Sequence, residues 1–216
     1  GKDPVAEVTK PGATEDTKYF SLPEALKASE DGATVKLLAD HVTDWDAVDD
    51  PENPDESTLA VVTKELTLDL NGCTVDYLMV GDMTLDRYNE ETGEYENVSL
   101  TPGNLTVVST SEGTAGKIKD LDFVSGTLDV QGGQLGYYES NGDPRGGLTC
   151  NGNSGEVNIT GGTVLGLTVG EGASVTVSGG SSHAGRWFNY DTLNITGGEF
   201  ANVTFSNNGG IIAISG

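Results

Sequence analysis

The sequence predicts an all-β fold, a right-handed single-stranded parallel β-helix (a solenoid) opening on a short capping helix, and three observations predict it. Threonine, valine and isoleucine fill 24, 20 and 6 of the 216 positions, and such β-branched side chains suit a pleated, half-buried surface better than a helix. Glycine occupies 31 positions, about twice the usual ~7%, which marks a chain of many turns. A block of alternating apolar residues ending in Asn-Gly or Gly-Gly recurs, and the copies starting at Val157, Val175 and Leu193 lie 18 residues apart.

The other copies are Leu68-Asp69-Leu70-Asn71-Gly72, Leu105-Thr106-Val107 and Leu128-Asp129-Val130-Gln131-Gly132-Gly133, with insertions lengthening the steps between them. A second block follows most copies, with apolar residues at its positions 1, 4 and 6: Val75, Leu78, Val80; Ile118, Leu121, Phe123; Val164, Leu167, Val169; Phe200, Val203, Phe205. Alternation places Leu68 and Leu70 on one face and Asp69 on the other, and the glycines supply the sharp corners. One such repeat buries too few apolar side chains to offset the entropy of ordering it, so the repeats must stack, forming about seven turns from near Val35 to an incomplete one at Ile211, Ile212 and Ile214. An antiparallel sandwich is the competing all-β arrangement. A left-handed hexapeptide helix is disfavoured because no small apolar residue recurs every six positions.

Ahead of the repeats, Ser21-Leu22-Pro23-Glu24 is a capping box with proline in the first turn, and Leu22, Ala25 and Leu26 share one face of the helix it starts. That face is expected to cover the open core of the first repeat. The segments Phe20–Leu26, Gly32–Asp40 and Leu66–Gly72 together resemble the N-terminal part of pectate-lyase-like right-handed β-helix modules, found in large surface-anchored or secreted proteins of Gram-positive, often gut-dwelling bacteria. The resemblance implies an extracellular, wall-associated or secreted, adhesin-like or stalk module of a larger protein, and it carries no catalytic motif. The expected organisation is an N-terminal extension, 1–18, and a β-helix domain, 19–216, with the helical cap at 19–34 and insertions at 81–103, 136–154 and 181–191. The first insertion reads as a projecting hairpin of Thr84–Tyr88 against Tyr95–Ser99. The start at Gly1 rather than methionine predicts a processed or engineered fragment.

Charge narrows the partners. The 34 acidic and 11 basic side chains leave a net charge of −23, and residues 1–100 carry −17 of it. Such a chain does not bind nucleic acid, and no apolar run is long enough for direct membrane insertion. No phosphate-cradling loop or nucleophile elbow occurs. Cys73 and Cys150 are too few to define a disulfide framework, and a bridge between them is left open.

Three candidate sites remain. The first is a flank for a glycan or a host or cell-surface protein, gathering Tyr88, Tyr95, Tyr137, Tyr138, Arg145, Arg186, Trp187 and Tyr190 from the insertions, with Trp187 as readily a core residue. The second is an outward column read as Asp69, Thr106, Asp129, Asn158, Thr176, Asn194, whose two carboxylates would stand ~9.6 Å apart, near the upper limit for an inverting glycosidase. Nothing beside them raises either proton affinity, and the expectation is a non-enzyme. The alternative is a polysaccharide lyase, glycoside hydrolase or glycan-binding accessory. The third is a Ca²⁺ site at Asp44, Asp46, Asp49 and Asp50, the one cofactor the sequence suggests. The apolar strand Ile211–Ile214 predicts end-to-end self-association or a further turn beyond it.

Overall fold

A computed structural model describes residues 3–45, 59–89, 92–151 and 155–215, with the backbone alone over 84–89 and 94–98. The elements described in full are all strands save one helix, and two long sheets hold most of them, their successive strands mostly parallel. From residue 33 on it passes alternately between the sheets, each pass adding its strand beside that of the pass before.

Sheet A has ten strands. Eight are parallel, beginning with Ala33–Leu37, Glu65–Asp69, Gly103–Val108 and Gly126–Val130 and ending with Ile211–Ile214. The remaining two, Ala6–Thr9 and Thr17–Tyr19, pair antiparallel at its edge. The segment expected to be a bare extension therefore completes the sheet, with Val8 opposite Val35 and Ala6 opposite Leu37. Ala6 and Val8 are buried.

Like stacks on like across sheet A. One column runs Val35, Leu68, Val107, Val130, Ile159, Val177, Ile195, Ile214. The copies at Val157, Val175 and Leu193 pair as their spacing predicts. Leu68 does not pair with Leu105; it stands opposite Val107, two residues further on. Corners are tight: a Cβ on Gly179 would lie 2.2 Å from the Thr160 carbonyl oxygen, and Gly180 follows at φ 78°.

Sheet B forks. Thr74–Val80 and Lys117–Phe123 pair along their length, with Val61–Val62 beside the former. Beyond Lys117–Phe123 one branch continues from Lys117 and Ile118 into Gln134–Leu135, Thr163–Val164, Ser181–His183 and Glu199–Ala201. The other continues from Asp120–Phe123 into Gly147–Cys150, Gly166–Val169, Arg186–Asn189 and Thr204–Asn207. Between the branches each pass inserts a different length, residues 136–146, then Leu165, then 184–185, then 202–203. The expected insertion at 181–191 is corrected accordingly, since most of it forms two ladder strands. In the last pass it is Phe205, not Val203, that aligns under Trp187, because the two-residue junction delays the second strand.

The inward side chains of both sheets form one hydrophobic cluster, which Leu22, Ala25 and Leu26 of the helix Leu22–Ala28 join. Half of the expected capping box is recorded: Ser21 Oγ accepts from the Glu24 N–H at 3.3 Å. Ser29 and Lys64 finish the helix. Ser29 Oγ donates to the Ala25 carbonyl at 2.7 Å, and Lys64 Nζ donates to the carbonyls of Lys27 and Ser29, placing a cation on the orphan carbonyls of the C-terminus. Asp82–Asn89 and Glu94–Thr101 form the projecting antiparallel ribbon. Among the described residues no helix is long and apolar enough to cross a membrane.

Candidate ligand-binding groove

The inward positions 1, 4 and 6 of the sheet B strands leave two consecutive residues between the first and second. Both members of such a pair lie off the core: Asp76-Tyr77 in one pass and Lys119-Asp120 in the next, with Tyr77 and Asp120 in register. In the following pass Ile118 is opposite Leu135 and Asp120 opposite Gly147, so residues 136–146 emerge where Lys119 stands alone. Their hairpin, Tyr137–Tyr138 against Pro144–Arg145, rises beside Lys119.

Three shallow concavities meet there. The first, 320 Å³, is lined by Trp45, Asp76, Tyr77, Asp120, Asp122 and Tyr137 around Lys119. The second, also 320 Å³, shares Asp76, Lys119 and Tyr137 and adds Asp40, Lys117 and Tyr138. The third, 260 Å³, runs from Asp120 to Arg186 and Phe188 with Arg145 on its wall. Two glycines make its floor. Along the row Asp120, Gly147, Gly166, Arg186, the middle positions carry no side chain because the backbone leaves no room for one. A Cβ on Gly147 would lie 2.2 Å from the Gly166 carbonyl oxygen, and a Cβ on Gly166 would lie 2.0 Å from that of Gly146.

Hydrogen bonds fix the aromatic walls. Both carboxylate oxygens of Asp76 accept from the Thr43 N–H at 2.9 Å, and one also accepts from the Tyr77 N–H at 2.8 Å. This holds the segment after His41 against the sheet, leaving Trp45 52% exposed with its ring edge-on to Tyr77 at 5.0 Å. The Tyr77 hydroxyl donates to Asp122 Oδ2 at 2.7 Å. Lys119 Nζ lies 5.7 Å from the centre of the Tyr137 ring, and the Tyr138 hydroxyl donates to the His183 carbonyl at 2.9 Å.

Charge is uneven along the groove: the first concavity sets Asp76, Asp120 and Asp122 against Lys119, whereas Lys117, Arg145 and Arg186 line the other two. Burial, then the neighbouring carboxylates of Asp122 and Asp76, push the Asp120 carboxyl above its usual range, with Lys119 opposing. Burial and the bond to Asp122 push the Tyr77 phenol up as well. Aromatic faces beside carboxylate acceptors and ammonium or guanidinium donors match the alternating apolar faces and hydroxyl edges of linked sugar rings.

Comparison with protein-family models, curated proteins and solved structures gave no match.

The expected site residues divide. Tyr137, Tyr138, Arg145 and Arg186 line the three concavities, and Arg145 pairs with Glu139 at 3.2 Å. Trp187 is corrected to a core residue: it is 2% exposed, packed edge-on against Phe200 and Phe205 and donating from Nε1 to the Val164 carbonyl. Tyr190 is exposed beyond the strand Arg186–Asn189 and lines none of the three. Tyr88 and Tyr95 are register partners in the projecting ribbon. Asp44 is described, while Asp46, Asp49 and Asp50 lie outside the described residues.

The column with two carboxylates is also corrected. Thr67, not Asp69, precedes Thr106 and Asp129 in register. Asp69 is 5% exposed and is a turn clamp, accepting from the Asn71 and Thr110 N–H groups at 3.0 Å and from the Thr110 hydroxyl. Both cysteines are free thiols.

Sequence reasoning missed Trp45, Tyr77, Lys119, Asp120 and Asp122. The available signal was the pair of consecutive outward positions inside the second block, polar or aromatic in adjacent passes.

Proposed function

We propose that this chain is a right-handed parallel β-helix module of the pectate-lyase-like kind, capped by its helix, from a secreted or surface-anchored protein of a Gram-positive bacterium, and that it presents a glycan-binding groove without catalysing a reaction. The alternation of strands between two parallel sheets supports the coil, and the buried helix face supports the cap. One observation carries the binding role: exposed Trp45 and the rings of Tyr77 and Tyr137 line the same concavity as Asp120, Asp122 and Lys119. The test is a glycan array probed with wild type and with Trp45→Ala combined with Tyr137→Ala. Binding by wild type that the double variant loses supports the reading; binding that survives, or no binding by a folded wild type, overturns it.

A second reading, a polysaccharide lyase or glycoside hydrolase, is favoured by one feature, the raised proton affinity of Asp120 beside a second carboxylate, which suits a general acid. Release of reducing or unsaturated sugar ends by wild type but not by Asp120→Asn would establish it.

A further inference from the structure

The first concavity of the groove holds three carboxylates that differ in what they already bind. Asp76 is occupied by Thr43 and Tyr77, through two N–H groups and the Thr43 hydroxyl. Asp122 takes the Tyr77 hydroxyl. Asp120 accepts no hydrogen bond from the described residues, and it stands where the first and third concavities join. One ammonium lines the same concavity, that of Lys119, whose Nζ lies over the face of Tyr137. The first concavity therefore already holds an alkylammonium over an aromatic face, one half of the combination that recognises ammonium groups elsewhere, and its three carboxylates outnumber that one cation.

We propose that the ligand of this groove is a cationic amino sugar oligomer, a chain of glucosamine units with free amino groups, one ammonium of which binds Asp120 beside Tyr137. The proposal rests on the glycan-binding reading and names its ligand class. Burial first, and then repulsion by Asp122 and Asp76, raises the proton affinity of Asp120; a bound ammonium would relieve the repulsion. A net charge of −23 draws a cationic polymer and repels uronic acid polymers. From Asp120 the glycine floor leads across the strands to Phe188 and Arg186, three strand spacings or roughly 14 Å, so the trough accepts several linked rings. Arg186 at its far end disfavours a second ammonium and leaves that position to a neutral ring.

The test is calorimetric titration of the whole chain with two tetrasaccharides of equal length, one of glucosamine and one of N-acetylglucosamine. The expected result is about ten-fold tighter binding of the glucosamine form, lost in Asp120→Asn and enlarged in Lys119→Ala, where a neighbouring positive charge is gone. Far-ultraviolet dichroism and thermal melting establish that each variant is folded, and Tyr137→Ala serves as a second disabling variant if Asp120→Asn does not fold. Equal affinity for the two forms, or a preference that Asp120→Asn leaves intact and that therefore reflects diffuse attraction to the acidic surface, overturns the inference while the glycan reading stands. Binding of neither form, with array binding to other sugars that needs Trp45 and Tyr137, does the same. Absence of any sugar binding overturns both.

Discussion

The phenolic hydroxyl of Tyr77 donates to Asp122 Oδ2 across two neighbouring strands, 2.7 Å away. Tyr77 is half-buried, and both its burial and this bond hold the phenol in its protonated form. Tyr77→Phe is expected to cost about 1 kcal/mol in chemical denaturation, the lower end for a bond to a charged acceptor because the pair is partly solvated. A phenol whose proton affinity is higher folded than unfolded also loses stability as pH rises through the ordinary tyrosine range. In an alkaline absorbance titration the Tyr77→Phe variant should lack a tyrosine that ionises above the ordinary phenol range. An unchanged titration would show that the bond does not form in solution.

Asp120 obeys the same sign rule. Its carboxyl binds a proton more tightly folded than unfolded, so the penalty is absent below the ordinary aspartate range, grows as pH rises through that range toward the raised value, and persists in full above it. Asp120→Asn should therefore melt higher than wild type at neutral pH, with the difference vanishing below about pH 3.5. A variant that melts lower at neutral pH would contradict this.

Gly147 and Gly166 have no space for a side chain, since their added Cβ atoms would meet backbone oxygens at 2.2 and 2.0 Å. Backbone cannot step aside as a side-chain tip does. Each alanine substitution is expected to cost about 3 kcal/mol in denaturant melts. A cost near zero would mean that the two strands are further apart than described.

Trp187 contributes to the core rather than to the groove. Trp187→Ala should destabilise by about 3–5 kcal/mol and, in the fraction that remains folded, leave sugar affinity unchanged. Loss of affinity in a folded Trp187→Ala protein would return this residue to the binding surface.

Cys150 is buried in the second branch of sheet B, its thiol pushed far up by burial, and the half-buried Cys73 thiol is raised by burial and by Asp40 and Asp69. Thiolates react and thiols do not. A thiol-specific reagent near neutral pH should label the native protein slowly, Cys73 ahead of Cys150, and should label both at once in denaturant without prior reduction. A requirement for reductant would reveal a disulfide.

Much of the ladder was readable because its inward positions are chemically monotonous. Val157, Val175 and Leu193 fall in register at the spacing their motifs declare, since tight glycine corners leave no slack. The register slip at Leu68 has a local cause. The turn at Asn71 and Gly72 resembles the later glycine corners in composition, yet there Asp69 accepts from both Asn71 and Thr110, so similar letters serve different geometry. The antiparallel edge strands Ala6–Thr9 and Thr17–Tyr19 were missed because they belong to no repeat. Trp45 was invisible for another reason: long-range bonds, of His41 to Thr74 and of Thr43 to Asp76, bring it over Tyr77.

The fork in sheet B separates what must be constant from what is free to vary. Both strands flanking the junction are anchored in their own ladders, so the frame tolerates a single residue there in one pass and an eleven-residue arm, 136–146, in another. That arm carries Tyr137, Tyr138 and Arg145, and so much of the groove's chemistry. It is an interchangeable graft point: exchanging the arm would change the lining of the groove while both ladders stayed as they are.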